Sequence, residues 1–236
     1  MATVMEEDVV VVGGGIAGLA TAVALKRVGV RALVLERSEG LRATGAALSL
    51  FPNAFCALDA LGLSHKLTSI YAPATKGFIT NIASGITREV SFTETEGQGL
   101  GPRAVHRKAL LEALAEELPN DSIRFSSKLT SIKQHDPSNI LIQLDDGTII
   151  KTKVLVGCDG VHSIVARWLG LSSPVNSGRG AARGLAVFPE GHGLSLDQVH
   201  QFVDAGKRAG YVPLNDKEVY WFLTCKSAPQ DISNLE

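Results

Sequence analysis

The stretch Asp8–Arg37, DVVVVGGGIAGLATAVALKRVGVRALVLER, reads as strand, glycine turn, helix and strand, and it decides the fold. Asp8 to Val12 is a short continuous apolar run, the pattern of a parallel strand covered on both faces. Gly13-x-Gly15-x-x-Gly18 follows at once, and from Ile16 the residues Ile16, Leu19, Ala20, Val23 and Ala24 recur at helical spacing along one face. Gly29 stands where a left-handed cap residue would stop that helix, and Arg31 to Leu35 makes the second strand, ending at Glu36.

These residue types in this order suit a dinucleotide. Gly13 permits a tight turn, Gly15 lets a pyrophosphate approach the backbone without meeting a Cβ, and Gly18 lets the helix lie close on the strand. The helix N-terminus adds unpaired N–H groups and a partial positive charge. Glu36, eighteen positions after Gly18, ends the second strand as an acceptor for the hydroxyls of an adenosine ribose. A lone GxGxxG is weak evidence, but a strand before it, a helix after it and an acid at this distance together point to a dinucleotide site. Nothing in the unit separates FAD from NAD.

The chain has 236 residues, 45% of them hydrophobic, enough for one sizeable core or two smaller ones. With a net charge of −1 and scattered Lys and Arg, it lacks the electrostatic footprint of a nucleic-acid binder and the basic amphipathic helix of a membrane-surface protein. Its longest apolar runs fall well short of the roughly 20 residues of a membrane span. Met1 to Glu7 is acidic and has no apolar region of a secretory signal, so a cytoplasmic location is expected. Cys56, Cys158 and Cys225 are isolated and odd in number, which reads as buried or free thiols in a reducing compartment. The six histidines show no HExxH or paired spacing, and no metal site is expected.

After the second strand, Arg37 and Arg42 lie in a charged connection near the ribose and phosphate positions. Pro52 to Leu61 reads as a helix with Phe55, Leu58 and Leu61 on its core face and Gly62 closing it. Period-two patterning over Gly77–Ile82 and Ile86–Phe92 predicts a hairpin around Ser84-Gly85, and the residues from Glu94 to Gly101 a polar loop. Leu110, Leu111, Leu114 and Leu118 predict a helix from Lys108, preceded by Arg103 and Arg107. Ile123–Phe125, Leu129–Lys133, Ile140–Leu144 and Thr148–Lys151 are strand candidates, the last two joined through Asp145-Asp146-Gly147, and they read as an inserted ribbon covering the domain. Val154 to Gly157 is then a separate buried strand that delivers Asp159-Gly160 to the crevice of the glycine turn, with a short helix over Ser163–Trp168. Four further strands are expected over Gly184–Phe188, Val199–Val203, Gly210–Leu214 and Val219–Thr224; Phe202, Tyr211, Tyr220, Trp221 and Phe222 read either as the lining of a substrate cavity or, for most of them, as cover of one sheet face. Ser227 to Glu236 is a polar tail.

Taken together, GGGIAGLATAVALKRVGVRALVLER, LFPNAFCALDALGL, RAVHRKALLEAL and VLVGCDGVHSIVARWLG resemble the single-component FAD-dependent aromatic-hydroxylase-type monooxygenases, most of all the plant salicylate-hydroxylase-like group. RGLAVFPEG and RAGYVPLNDKEVYWF are similar to the start of that family's substrate sheet. The resemblance implies an α/β fold: a Rossmann-like FAD-binding domain with a central parallel sheet and inserted β-ribbon, plus part of a mostly antiparallel substrate sheet. It assigns residues 1–75 and 102–177 to the first domain and 76–101 and 178–236 to the second. It implies FAD as cofactor and NAD(P)H as electron donor. The chemistry implied is hydroxylation or epoxidation of a small electron-rich substrate with O2 through a flavin C4a-hydroperoxide, with no protein nucleophile, triad or metal.

Carried over by position, the resemblance gives the pyrophosphate to the backbone of Gly13, Gly14, Gly15, Ala17 and Gly18 and the ribose to Glu36. Arg37 and Arg107 match cofactor-contacting arginines, Leu129 a strand position whose backbone meets the adenine, and Asp159-Gly160 the DG motif associated with FAD and the nicotinamide. Arg103 falls beside this set. The Gly-Asp-Ala-x-His motif that binds the ribityl chain has no match after Asp159, which reads as a C-terminal truncation. An alternative from another class is a non-catalytic nucleotide-binding or regulatory protein that pairs with full-length relatives through an exposed sheet edge.

Overall fold

The computed structural model describes residues 4–41, 47–92 and 101–226. In chain order these form β1 (Val4–Val12), α1 (Ile16–Arg27), β2 (Leu33–Leu35), β3 (Ala47–Leu50), α2 (Pro52–Ala60), α3 (Ser64–Thr68), β4 (Lys76–Asn81), β5 (Thr87–Ser91), β6 (Arg103–His106) and α4 (Arg107–Ala115). There follow β7 (Ile123–Arg124), β8 (Leu129–Asp136), β9 (Asn139–Leu144), β10 (Ile149–Gly157), α5 (Ile164–Trp168), β11 (Arg179–Val187), β12 (Gln198–Asp204), β13 (Lys207–Pro213) and β14 (Glu218–Lys226). The backbone groups into two compact units, Met1–Ala43 with Leu110–Val175 and Thr44–Ala109 with Asn176–Glu236.

The first unit is built on a six-stranded sheet in the order β7-β2-β1-β10-β9-β8. β1 runs parallel to both neighbours, with Val12 level with Leu35 on one side and Gly157 on the other, so three strand ends come to the same edge. β10 is one continuous strand and not the two segments expected from the pattern. Its first half, Ile149–Thr152, is antiparallel to β9, while its whole length is parallel to β1. The change of neighbour explains the misreading, because an alternating half and a continuously apolar half belong to the same strand. Beyond Thr152 the far edge has no described partner, and Val154, expected to be buried, is 49% exposed. The ribbon β8–β9 extends this sheet edge to edge instead of covering it.

Val10, Val12, Leu33 and Leu35 from the parallel strands pack with Leu129, Ile142, Leu144 and Ile150 from the ribbon side, and Val165 of α5 closes the cluster. α1 buries Gly18, Leu19, Ala22 and Val23, a face turned slightly from the one expected. Full burial of each such aliphatic side chain contributes about 1.5–3 kcal/mol. Gly13 has φ +107, and a Cβ there would lie 2.3 Å from the Cys158 carbonyl oxygen; one on Gly18 would lie 1.8 Å from the Gly13 carbonyl oxygen. The turn is therefore pressed backbone to backbone against the end of β10.

The second unit carries a six-stranded sheet in the order β11-β14-β13-β12-β4-β5, with β12, β13 and β14 an antiparallel meander and β12 parallel to β4. The β3–β6 ladder belongs here: Ala47 packs with Val212, Leu214 and Tyr220, and Ala104 joins them. Residues 44–75 and 102–109, grouped by sequence with the dinucleotide unit, accordingly cluster with this second sheet. The aromatic residues do not share one face, since neighbours along a strand point to opposite sides. Tyr220 and Phe222 join the core with Ala47, whereas Tyr211 and Trp221 pair on the other face, beside His200. There the His200 ring is stacked between Phe78 at 5.0 Å and Tyr211 at 4.7 Å. The expected polar loop, over residues 94–100, the tail over 227–236, and Arg42 lie outside the described residues.

Two outcomes follow from this packing. Gly18→Ala should lose about 1–3 kcal/mol or more in urea unfolding, because the added methyl must displace backbone. Gly40→Ala, where a Cβ meets nothing within 4 Å, is the control and should stay near wild type; equal stability of the two variants would contradict the loop packing. Burial lowers the His200 pKa from its ordinary value, so the unfolded chain binds the proton more readily. Stability should therefore fall as pH drops through about 6.5 toward the lower folded value. His200→Phe keeps a ring in the stack and should flatten that part of the pH profile of unfolding.

Candidate dinucleotide site

The site starts from what the glycine turn leaves uncovered. Gly15 is the N-cap of α1 in an extended conformation, no side chain caps the helix, and its first turn holds no acidic residue. The first amides of α1 thus lack a side-chain acceptor of the kind that usually closes a helix start. A Cβ built on Gly15 meets no atom within 4 Å, so the backbone is approachable from that side. Gly14 is different. Its N–H donates to Glu36 Oε2 at 2.8 Å, and a Cβ there would sit 2.9 Å from the Glu36 Cβ.

Glu36 is only 6% exposed, at the end of the fully buried strand β2. Its Oε1 accepts the Ser38 N–H at 2.9 Å, so the carboxylate ties the glycine turn to the chain leaving β2. Charge-assisted bonds of this kind contribute about 1.5–3 kcal/mol each. The Glu36 backbone is also fixed, its N–H donating to the Arg124 carbonyl and its carbonyl accepting from Ser127.

Asp159 comes to the same edge as the turn. The Cys158 N–H donates to the Val12 carbonyl at 2.8 Å, and the Asp159 Cα is 3.1 Å from where a Cβ on Gly13 would lie. Its side chain turns toward α5: Oδ2 accepts the Ile164 N–H at 2.7 Å and Oδ1 accepts the Ser163 hydroxyl, while Ser163 Oγ caps Ala166 N–H at 2.8 Å. Gly160 follows with φ +81 and open space where a side chain would be.

The remaining sequence-predicted residues are dispersed. Arg37 is exposed and makes no hydrogen bond or ion pair among the described residues. Leu129 starts β8 opposite Leu144 and is buried in the first unit's core. Arg107 is the first residue of α4 and falls in the second unit. Arg103 lies on the buried side of β6, its guanidinium over the Phe55 ring at 5.6 Å and donating to the Tyr71 carbonyl. Its Nε is buried with no hydrogen-bond partner among the described residues, and burial lowers its pKa.

Sequence reading missed a cluster in the second unit. The Tyr71 hydroxyl is 2.9 Å from His106 Nδ1, and His106 Nε2 is 3.2 Å from Glu218 Oε2. No spacing rule links positions so far apart in the chain. For Arg103 a signal did exist: in RAVH it shares a strand face with the buried Val105. An apolar-walled cleft of about 260 Å³ lies nearby, with Ala72, Ala104, Leu214 and Asn215 in its wall. The three cysteines are free, no described His, Cys, Asp and Glu residues gather into a metal-holding group, and no described helix is long and apolar enough to cross a membrane.

The chain is 46% identical to Monooxygenase 2 of Arabidopsis thaliana over 224 residues, 95% of this chain and 54% of that protein. It is 40% identical to Monooxygenase 1 of the same plant, again over 54% of the relative. The chain thus spans about half the length of the curated relatives it matches. Among solved structures, Klebsiella pneumoniae HpxO complexed with FAD and uric acid superposes with a TM-score of 0.82 at 26% identity, covering 97% of this chain and 58% of that one. The FAD binding domain family matches residues 6–234, and the chain belongs to that family.

Proposed function

We propose that this chain holds the adenosine diphosphate half of FAD at the glycine turn and belongs to a monooxygenase that uses NAD(P)H and O2 to hydroxylate or epoxidise a small electron-rich, aromatic-type substrate. The observation that carries this reading is the uncapped start of α1 beside the open face of Gly15, the kind of backbone that accepts an anion. The backbone from Gly13 to Gly18 takes the diphosphate, and Glu36, which can only accept hydrogen bonds when ionised, takes a ribose hydroxyl while it holds the turn. Asp159-Gly160 borders the same edge as the turn, and on the family pattern Arg37 and Arg107 supply cationic contacts and the Leu129 backbone meets the adenine. When bound, FAD supplies hydride acceptance from NAD(P)H and activation of O2. The protein's own part is to bind, orient and exclude water.

Micromolar retention of FAD needs a net gain of about 8 kcal/mol. A helix terminus contributes about 0.3–1 kcal/mol and each charge-assisted hydrogen bond about 1.5–3, so three or four contacts reach that gross figure before association costs. Binding is therefore within reach of the adenosine diphosphate half, whereas guarding the reactive end of the flavin asks for more enclosure. A second reading is a non-catalytic nucleotide-binding or regulatory protein that pairs with full-length relatives. The half-paired edge of β10 beyond Thr152, with Val154 exposed, supports it as a place for another strand to add. A reducing, cytoplasmic setting agrees with three free thiols.

Purified protein mixed with FAD should quench flavin fluorescence with a measurable Kd, and Gly15→Val should weaken binding at least about tenfold, the loss of a close backbone approach, with little change in melting temperature. Unchanged affinity in that variant would contradict the placement of the diphosphate. Substrate-stimulated NAD(P)H oxidation with product formation supports the enzyme reading, and FAD binding without it supports the regulatory one.

A further inference from the structure

The chain leaves β7 through a left-handed residue. Among the described residues, Ser126 is the one non-glycine position with a positive φ, 49°, a conformation that L side chains disfavour and that persists only where the surroundings fix it. What fixes it is the backbone around Glu36. β7 runs parallel to β2, and the Glu36 N–H donates to the Arg124 carbonyl at 2.9 Å. Carried on regularly, that ladder would bring the Ser126 N–H to the Glu36 carbonyl. The turn puts the Ser127 N–H there instead, at 2.8 Å, and lets the Ser126 N–H donate to the Ser38 carbonyl at 2.9 Å. Ser127 is 2% exposed, and its hydroxyl donates to the Phe125 carbonyl at 2.9 Å, which fastens the turn from within.

The consequence falls on a carboxylate. The Ser38 N–H donates to Glu36 Oε1 at 2.9 Å and the Gly14 N–H to Oε2 at 2.8 Å, so one amide on each oxygen sets its orientation. The Gly14 amide belongs to the glycine turn; the Ser38 amide is held because Ser126 grips the carbonyl of the same residue. An ionised carboxylate accepts in about four directions, more than these two amides use. Every residue of this arrangement lies in the first unit. We infer that the left-handed turn at Ser126 is a positioning clip, which holds the Ser38 amide so that the Glu36 carboxylate meets an adenosine ribose hydroxyl. The inference rests on the ribose role of Glu36 proposed above. Ser126 touches no nucleotide in this scheme; it acts through Ser38.

The test is calorimetric titration of the full chain with ADP and with 2′-deoxy-ADP, thermal melts alongside, because the ratio of the two dissociation constants reads the ribose contact and not the fold. Wild type should prefer ADP about tenfold or more, the worth of one charge-assisted hydrogen bond. Ser126→Gly and Ser126→Asn accept a positive φ at little cost, and both should keep that ratio within about twofold. Ser126→Val, whose branched side chain is disfavoured there, should narrow it to about threefold or less. Ser126→Thr is branched in the same way and takes the place of Ser126→Val if that variant does not fold. A ratio as wide as wild type in the folded branched variant would overturn the clip, as would the same narrowing in Ser126→Gly and Ser126→Asn. No preference for ADP in the wild type, or no binding of ADP at all, would instead overturn the ribose role of Glu36 on which the clip rests.

Discussion

Three backbones meet without room for a side chain where β1 and β10 end, and most of the first unit's organisation depends on that contact. The Gly13 turn sits against the Cys158 carbonyl, and Gly18 sits against the Gly13 carbonyl, each at a separation no Cβ can occupy. Because β1 is parallel to β2 and β10 in level register, the same contact sets Glu36 and Asp159 on one edge. α1 then begins just after Gly15, its N-cap, and no side chain caps it. The close packing also leaves one backbone position uncovered: at Gly15 no atom lies within 4 Å of where a side chain would be.

The second unit shows a different economy, in which a buried cation substitutes for apolar packing. Arg103 lies 7% exposed with Nε lacking a hydrogen-bond partner among the described residues, an arrangement that costs free energy in isolation. The Phe55 ring beneath it and the Tyr71 carbonyl at its Nη1 offset part of that cost. Their effect is to draw the chain between α3 and β4 onto β6, which the ladder with β3 alone would not do. The same strand thus organises the local core through Arg103 and Val105 and presents Ala104 and His106 to the opposite side.

How much of this could be read in advance depended on whether the information was local. The βαβ unit, the Asp145-Asp146-Gly147 turn and the caps at Gly29 and Gly62 rest on short-range steric preferences, and the structure has them where the residues indicated. The continuity of β10 was hidden because its two halves have different neighbours, so each half carried its own hydrophobic pattern. The split of Tyr220, Trp221 and Phe222 between two faces was legible, since consecutive strand residues cannot share a side. The grouping of residues 44–75 with the second sheet and the Tyr71–His106–Glu218 cluster depend on pairings between distant segments, β3 with β6 and β6 with β14, for which one sequence holds no periodic signal.

Both acids at the candidate site hold the backbone together, and on the proposed reading they also meet the cofactor, an overlap that limits what loss of either can mean. Glu36 holds two amides of the turn and of the segment after β2, so its removal leaves buried N–H groups unsatisfied, at about 1–3 kcal/mol each. Asp159 accepts from the start of α5, where loss of a cap costs about 0.5–2 kcal/mol. A charge-assisted bond to a nucleotide hydroxyl is of the same size. Affinity lost on replacing either acid therefore contains a folding component as large as the contact itself. Gly15 is the position where the two effects separate, because nothing in the folded chain occupies the space its side chain would enter.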